Sequence, residues 1–130
     1  MLRCMLKGKI HRATVTDANV EYEGSITIDA ALMDKANLVS YEQVHVWSVT
    51  SGERLETYVI PGEAGSGQLC MNGAAAHRIK KGEVVIVASF AWLDEKEAEV
   101  RSPCLVYVDE QNRIEDVSGK RKVKPRLVSG

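Results

Sequence analysis

The sequence predicts a mainly β protein, folded as a barrel with short helices and built as a single domain over residues 1–130. Two observations predict this class: short runs of branched and aromatic residues recur between turn residues, and few stretches show helical spacing. The chain of 130 residues is one domain long and buries roughly two-thirds of its unfolded surface. We therefore expect one hydrophobic core that is stable without disulfides or a structural metal.

Three candidate strands lie in the first half of the chain. Residues 2–15 and 43–49 contain stretches that alternate between branched or aromatic residues and polar ones, which is the period of a strand. The dipeptide Ser51-Gly52 then predicts a hairpin turn into residues 55–60. Such short runs separated by turns are typical of a small barrel.

The second half adds two further strands. Residues 83–90 are almost continuously apolar, which is typical of a strand buried on both faces. Residues 105–108 form the other strand, and a polar turn follows at residues 109–112. No internal repeat or linker is visible, in agreement with a single domain.

Two short helices are predicted. Asp29 is a suitable N-cap for a helix over residues 30–36, which Asn37 closes. A second helix is predicted over residues 73–79, ending near Lys81-Gly82.

Charge and composition argue against several classes of function. The net charge of −1 gives no reason to expect nucleic acid or an anionic membrane as a partner. We expect neither a signal peptide nor a membrane span, and hence a cytoplasmic protein, because no segment has the necessary apolar length. Three widely spaced cysteines without a CxxC pair and three histidines without metal-ligand spacing argue against a disulfide framework and a metal site.

Two charged runs have ordinary explanations. The segment from Ser118 to residue 130 is predicted to be a flexible, solvated tail, and an RNA-contacting arm is the alternative. Its basic residues are Lys120, Arg121, Lys122, Lys124 and Arg126. Residues 94–97 are predicted to form a solvated face.

The tripeptide Glu23-Gly24-Ser25 raises the main chemical question. A serine hydroxyl can attack the carbonyl of the preceding residue, and glycine favours this because its carbonyl is unhindered and its backbone tolerates strain. If the resulting ester eliminates, the chain breaks and the new terminus hydrolyses to a pyruvoyl group, a ketone able to form a Schiff base with an amine. The dipeptide alone is too common to specify this chemistry, and an ordinary turn is the alternative.

Two strand faces carry candidate binding or proton-transfer groups. Lys9 and His11 share a face, where they could bind a carboxylate or move a proton. Arg54 and Tyr58 share another face, from which Thr57 points away, and they suit carboxylate recognition and general acid catalysis. An ordinary strand surface without a ligand is the alternative in both cases.

Residues 72–77, with the sequence NGAAAH, have the most unusual composition in the chain. Glycine and three alanines let a backbone approach a ligand closely, and free N–H groups at a helix start attract anions. Asn72 adds an amide able to orient a substrate or a carbonyl. Close packing of a short helix against a strand and a nucleophile pair of Cys70 with His77 are the alternatives.

Together and in this order, these segments resemble the aspartate 1-decarboxylase family, bacterial pyruvoyl-dependent enzymes that make β-alanine for pantothenate. The likeness extends from residue 1 to about residue 92, and the combination of EGS with NGAAAH is highly specific. The segments that carry it are KGKIHRATVT at 7–16, YEGSITID at 22–29, VWSVTSGERLETYVIPGEAGSG at 46–67, NGAAAH at 72–77 and GEVVIVASF at 82–90.

The resemblance implies that the chain is a precursor that cleaves itself. The bond between Gly24 and Ser25 is expected to break, giving chains 1–24 and 25–130, with Ser25 converted to the pyruvoyl cofactor. Thr57 is expected to polarise the Gly24 carbonyl during the attack. Ile26 follows the serine where the family often has a small residue, and some members need a separate maturation factor.

The resemblance also implies a substrate site for L-aspartate. Lys9 and Arg54 are expected to bind the substrate carboxylates, and Tyr58 to return a proton after carbon dioxide leaves. Further substrate contacts are expected from Thr57, Gly73, Ala74 and Ala75, and a surrounding pocket from His11, Tyr22, Trp47, Asn72 and Ile86.

The implied fold is a double-psi β-barrel, and the implied assembly is a homotetramer with sites between neighbouring subunits. A non-enzymatic β-barrel that binds a ligand or partner without cleaving is the main alternative to an enzyme.

Overall fold

The structure, a computed structural model, describes residues 1–118. Within this range the chain forms nine strands and three short helices, so the prediction of a mainly β fold with short helices is confirmed. The strands are β1 (Leu2–Thr14), β2 (Asp17–Asn19), β3 (Ser25–Asp29), β4 (Gln43–Ser48), β5 (Arg54–Gly62), β6 (Leu69–Asn72), β7 (Val84–Asp94), β8 (Cys104–Val108) and β9 (Ile114–Ser118). The helices are α1 (Ala30–Lys35), α2 (Ala75–Arg78) and α3 (Glu95–Val100).

The strands form one sheet that closes on itself. Their order is β2-β6-β3-β5-β4-β7-β1-β8-β9, so β1 and β2 lie at opposite ends of a run of seven strands. In sequence, however, only Val15 and Thr16 separate them. Val15 N–H donates to the Glu83 carbonyl before β7, and Thr16 N–H donates to the Leu69 carbonyl on β6. The two residues between β1 and β2 therefore bond to the residue before β7 on one side and to β6 on the other, and this closes the sheet into a barrel.

The core of the barrel is aliphatic. Along β4, Val44 and Val46 are 0% exposed and point inward, whereas Trp47 on the other face is half-buried. The same alternation puts Ile26 and Ile28 of β3 in the core. Branched side chains at alternate positions therefore fix which face of each strand lines the interior.

Most predicted elements are confirmed. The five predicted strands correspond to β1, β4, β5, β7 and β8. Gly52 has a φ of +84°, as its place in the turn between β4 and β5 requires. Asp29 caps α1 by accepting a hydrogen bond from Ala31 N–H, and Asn37 follows the helix with a φ of +61°.

The prediction for the second helix is wrong at both ends. α2 covers only Ala75–Arg78 instead of residues 73–79. Gly73 has a φ of +69°, in the left-handed region, so the backbone turns there before the helix begins. Ile79 is already extended, with a φ of −129°.

Two further predictions need correction, and a third is confirmed but incomplete. β7 is not buried on both faces, since Val84 and Ile86 are only half-buried and Phe90 is 36% exposed. Residues 94–97 are exposed as predicted, but they begin a third helix, α3, with a capping box in which Asp94 and Glu97 cap each other's backbone. Ser118 belongs to β9, opposite Leu105, and the rest of the predicted tail lies outside the described residues.

A buried carboxylate ties α1 to the loop before β6. Asp29 is 3% exposed and accepts hydrogen bonds from the backbone N–H groups of Ala31, Gly65 and Gly67 at 2.8–2.9 Å. Burial opposes ionisation, but these donors outweigh it and hold the pKa of Asp29 below its ordinary value.

A buried amide performs a similar task at the junction of β1 and β2. Asn112 is 2% exposed, accepts a hydrogen bond from Thr14 N–H and donates to the carbonyls of Thr14 and Gly67, each at 2.8 Å. Its φ of +62° is one that asparagine tolerates better than most residues.

Residues 1–118 contain no helix with the length and apolarity that crossing a membrane requires. Nor does any group of three or more His, Cys, Asp and Glu side chains in the described part of the chain have an arrangement that could hold a metal ion.

Candidate active site

The Gly24–Ser25 peptide bond joins an exposed bend to a buried strand. Gly24 is exposed, whereas Ser25, the first residue of β3, is 1% exposed. The Ser25 hydroxyl donates to the Glu23 carbonyl at 3.1 Å and accepts a hydrogen bond from Asn72 Nδ2 at 3.0 Å. Pairing of Ser25 with Asn72 across β3 and β6 brings the amide to the hydroxyl. The serine oxygen is thus fixed on the buried side of the bond.

Asn72 is the centre of a buried polar group. It is 3% exposed, and its Nδ2 also donates to Thr27 Oγ1 at 2.9 Å. Its Oδ1 accepts a hydrogen bond from the Cys70 thiol at 3.2 Å. Burial, aided by the negative charge of Asp17, raises the pKa of Cys70. The thiol therefore stays protonated near neutral pH and remains a donor.

Gly73 brings a second backbone segment against the candidate bond. A Cβ added at Gly73 would lie 2.6 Å from Gly24 Cα and 2.7 Å from Gly24 N, closer than any side chain tolerates. It would also lie 3.0 Å from the Tyr22 carbonyl oxygen. The contact with Tyr22 is therefore made by its backbone, and the residue is 53% exposed. Only glycine at position 73 permits this contact.

An open cleft of about 400 Å³ adjoins Gly24. Thr57, on β5, is half-buried on its wall, and Ala74 and Ala75 form another wall at the start of α2. The complete lining is Gly24, Leu55, Glu56, Thr57, Ala74, Ala75 and Arg78. The structure thus brings together predicted cleavage and substrate residues from three separate segments.

Tyr58 lies beside Ser25 on the neighbouring strand. Ile26 of β3 is opposite Val59 of β5, so the preceding residues, Ser25 and Tyr58, are adjacent and share a sheet face. The Tyr58 ring is half-buried, 5.9 Å from the Tyr41 ring centroid. Thr57 faces the opposite way, as the strand period predicts.

Arg54 and Trp47 form a stacked pair next to the cleft. They are directly opposite on β5 and β4, and the Arg54 guanidinium carbon lies 4.5 Å from the Trp47 ring centroid. Ile86 pairs with Trp47 from β7 and is half-buried. Arg78 lies beside both this pair and the Gly24 cleft, and its guanidinium contacts the Glu53 carboxylate at 2.8 Å.

Lys9 and His11 lie on a strand that does not pair with the strand of Ser25. Both are on β1, which β5, β4 and β7 separate from β3 in the strand order. His11 packs edge-on against Tyr107, and its Nδ1 is buried without a hydrogen-bond partner among the described residues. Burial and then the charges of Lys9 and Arg12 lower the pKa of His11. Neither Lys9 nor His11 is among the residues that line the cleft beside Gly24.

The matching family model is described as aspartate decarboxylase and covers residues 1–115. The chain belongs to the aspartate decarboxylase family. Curated relatives in the family carry the name aspartate 1-decarboxylase. The relative from Dehalococcoides mccartyi strain CBDB1 is 58% identical over 113 residues, which are 87% of this chain and 91% of the relative.

Two other family relatives come from different bacteria. Aspartate 1-decarboxylase of Syntrophus aciditrophicus is 55% identical and covers 88% of this chain and 98% of the relative. That of Myxococcus xanthus is 52% identical and covers 96% of this chain and 95% of the relative. A solved structure, the rationally designed mkDPBB_sym_86 protein, has a TM-score of 0.46 at 21% identity over 63% of this chain and 90% of that one, a likeness too low to support an argument.

Sequence reasoning missed two residues near this candidate site, Thr27 and Arg78, and gave a third, Cys70, a different role. Thr27 and Cys70 contact Asn72, and Arg78 lines the cleft. The alternation of β3 signals that Ser25 and Thr27 share a face, but nothing local to residue 70 or 78 indicates their partners. Cys70 also bonds to Asn72 while His77 is exposed on α2, and no hydrogen bond joins the two within residues 1–118.

Proposed function

We propose that the chain is a self-cleaving, pyruvoyl-dependent aspartate 1-decarboxylase that converts L-aspartate to β-alanine and carbon dioxide for pantothenate synthesis. Its family membership supports the reaction. The observation that carries the proposal for this chain is the buried Ser25 hydroxyl, held by Asn72 at 3.0 Å beside an exposed Gly24 and an open cleft.

Self-cleavage uses groups that the chain itself supplies. Ser25 Oγ attacks the Gly24 carbonyl carbon, its proton leaves, and the carbon–nitrogen bond breaks to give an ester and a free amine on Ser25. Loss of the Ser25 α-proton then breaks the Cβ–Oγ bond, leaving a Gly24 carboxylate and a dehydroalanine. Water replaces the nitrogen, ammonia is released, and residues 1–24 and 25–130 become separate chains.

Thr57 is placed to act on the Gly24 carbonyl. It lies on the wall of the cleft that Gly24 adjoins, and its hydroxyl can donate to an oxygen that gains negative charge during the attack. Gly73 contacts the backbone of Gly24, the residue that supplies this carbonyl. We assign both residues to self-processing.

The surroundings of Ser25 fit a pyruvoyl group at the start of β3. Such a group keeps the three carbons of residue 25, loses the hydroxyl and carries a ketone oxygen in place of the amine, so it needs no additional space. Asn72 offers a buried amide donor, and Ala74 and Ala75 leave an open wall. The group supplies an electron-withdrawing carbonyl that accepts the electrons released when the substrate carboxylate departs.

Two cationic residues and a phenol complete the proposed substrate site. Arg54 presents a planar guanidinium, held against Trp47, that suits bidentate binding of a carboxylate. Lys9 binds the second carboxylate. Tyr58, adjacent to Ser25 across β3 and β5, delivers a proton to the substrate carbon that has lost its carboxylate.

We further propose a homotetramer with sites between subunits. Lys9 is on β1, which does not pair with β3, and it does not line the cleft beside Gly24, so we propose that a neighbouring copy brings it to the site. Exposed apolar side chains on β1 and β7 support such an assembly, since Leu2 is 61% and Trp92 is 67% exposed. A cytoplasmic location and a possible maturation factor belong to the same proposal.

Intact-mass spectrometry of purified, incubated protein under denaturing conditions tests the proposal. We expect a 24-residue fragment and a 106-residue remainder that captures hydrazines, both absent in Ser25→Ala, and release of β-alanine from L-aspartate by the cleaved protein only. A chain that stays uncleaved after prolonged heating and addition of candidate maturation factors would identify it instead as a non-enzymatic binding barrel.

A further inference from the structure

The side-chain amide of Asn72 faces Ser25 with its nitrogen. Nδ2 carries two hydrogens, and it makes one hydrogen bond to Ser25 Oγ at 3.0 Å and one to Thr27 Oγ1 at 2.9 Å. The opposite orientation of the amide has nearly the same shape but would direct Oδ1 at both hydroxyls. The chemistry at Ser25 therefore depends on what selects one orientation over the other.

Cys70 supplies that selection on the oxygen side. Its Sγ lies 3.2 Å from Asn72 Oδ1 and, at the longer distance of 3.8 Å, from the Met71 carbonyl oxygen. The buried, protonated thiol is a donor and only a weak acceptor. With the amide reversed, Nδ2 would face a poor acceptor at Cys70, and Oδ1 would face a Ser25 hydroxyl whose hydrogen is already given to Glu23.

Thr27 completes the pairing on the nitrogen side. Its hydroxyl accepts the second N–H of Asn72, so both hydrogens of the amide are satisfied when Nδ2 points toward β3. Thr27 and Cys70 are themselves opposite each other on β3 and β6. The amide therefore lies between a thiol that donates to Oδ1 and a hydroxyl that accepts from Nδ2.

We propose that Cys70 and Thr27 are positioning residues, which hold the Asn72 amide with its N–H toward Ser25 Oγ and thereby set the rate of self-cleavage. This inference rests on the proposed function and deepens it. Negative charge develops on Oγ as its proton leaves during the attack, and again when the Cβ–Oγ bond breaks. An N–H donor stabilises that charge at both steps, whereas a carbonyl oxygen in its place would repel it.

The chain offers matched variants that separate positioning from packing. Cys70→Val fills the site without a donor, and Cys70→Ser restores a hydroxyl donor. Cys104→Val makes the same exchange at another buried cysteine, which is 8% exposed on β8 and opposite Gly8 of β1. Thr27→Val removes the acceptor at nearly constant shape.

The test measures the first-order rate of appearance of the 24-residue fragment in full-length protein, together with the thermal unfolding midpoint of the Ser25→Ala form of each variant. We expect about tenfold slower cleavage for Cys70→Val and for Thr27→Val, equivalent to about 1.4 kcal/mol. Cys70→Ser should cleave within about threefold of the rate of the natural sequence. Cys104→Val should cleave at the rate of the natural sequence, even if its unfolding midpoint falls by as much as that of Cys70→Val.

The outcomes distinguish the two proposals. If the natural sequence cleaves, and Cys70→Val and Thr27→Val both cleave at the same rate, the positioning role is overturned and the decarboxylase proposal stays intact. Equal slowing in Cys104→Val, or no recovery in Cys70→Ser, would also overturn it, because the effect would then follow packing. If Cys70→Val does not fold, Thr27→Val decides alone. No cleavage of the natural sequence under any condition would remove the proposed function and this inference together.

Discussion

Replacement of Gly73 by alanine tests the contact that supports the candidate cleavage site. The added Cβ would lie 2.6 Å from Gly24 Cα, whereas carbon atoms pack at about 3.5 Å. The backbone of Gly24 must therefore move by about 1 Å. This displacement falls on the residue whose carbonyl Ser25 is proposed to attack, so the variant should affect both stability and cleavage.

The magnitude follows from three contributions. Alanine at a φ of +69° costs about 1–2 kcal/mol, and the loss of glycine from the unfolded chain returns about 0.4–1 kcal/mol. Forcing atoms into an occupied space adds about 1–3 kcal/mol. We expect a total destabilisation of about 3 kcal/mol. Misplacement of reacting atoms by about 1 Å can slow a reaction about 100-fold, and we expect cleavage to slow by that factor.

Gly52→Ala is the matched control. Gly52 has a φ of +84°, and no described atom lies within 4 Å of the Cβ that alanine would add. It should therefore show the backbone strain without the displacement, with a loss of about 1 kcal/mol and normal cleavage. Urea unfolding of both variants in the Ser25→Ala background gives the stability difference, and intact mass over time in the Ser25 background gives the cleavage rates.

The reasoning would be refuted if both variants lost the same stability and cleaved at the rate of the natural sequence. The Gly73 contact would then have no part in holding Gly24. Slow cleavage in both variants would also contradict the reasoning, since backbone strain at Gly52 would then slow cleavage without any contact with Gly24.

Three further predictions concern buried polar groups and the substrate site. Asp29→Asn should lose about 2–3 kcal/mol of unfolding free energy at pH 7, because a charged acceptor of buried hydrogen bonds is replaced by a neutral one. Urea unfolding should show this difference shrinking as pH falls below about 4. The reason is that a carboxyl group with a lowered pKa stabilises the fold above its unfolded pKa and loses that effect as it protonates. Asn112→Ala should lose about 3 kcal/mol through three buried hydrogen bonds while cleavage proceeds in the folded fraction, and equal stability to the natural sequence would contradict the role given to it. Arg54→Lys should raise KM for aspartate about tenfold without slowing cleavage, because lysine lacks the planar fork that stacks on Trp47, and the exposed Arg3→Lys should leave KM unchanged.

Local signals in the sequence predicted local structure well. The alternation of β4, the glycine turn before β5 and the Asp29 cap of α1 all depend on residues within a few positions of one another. α3 had an equally local signal, the spacing of Asp94 and Glu97 in a capping box, which we interpreted only as a charged surface. β9 had no such signal, because three of its five residues are exposed and it forms by pairing with β8.

The sequence by itself determined the residues able to do chemistry and, through the order of its motifs, the family. Only the tertiary structure decided which of them meet. Asn72 reaches Ser25 from 47 residues away because β3 and β6 pair in one register, and a shift of one residue would turn the amide to the other face. The strand order likewise puts β5, β4 and β7 between the strand of Lys9 and the strand of Ser25. Such distances depend on the pairing of every strand between them, which no local preference specifies.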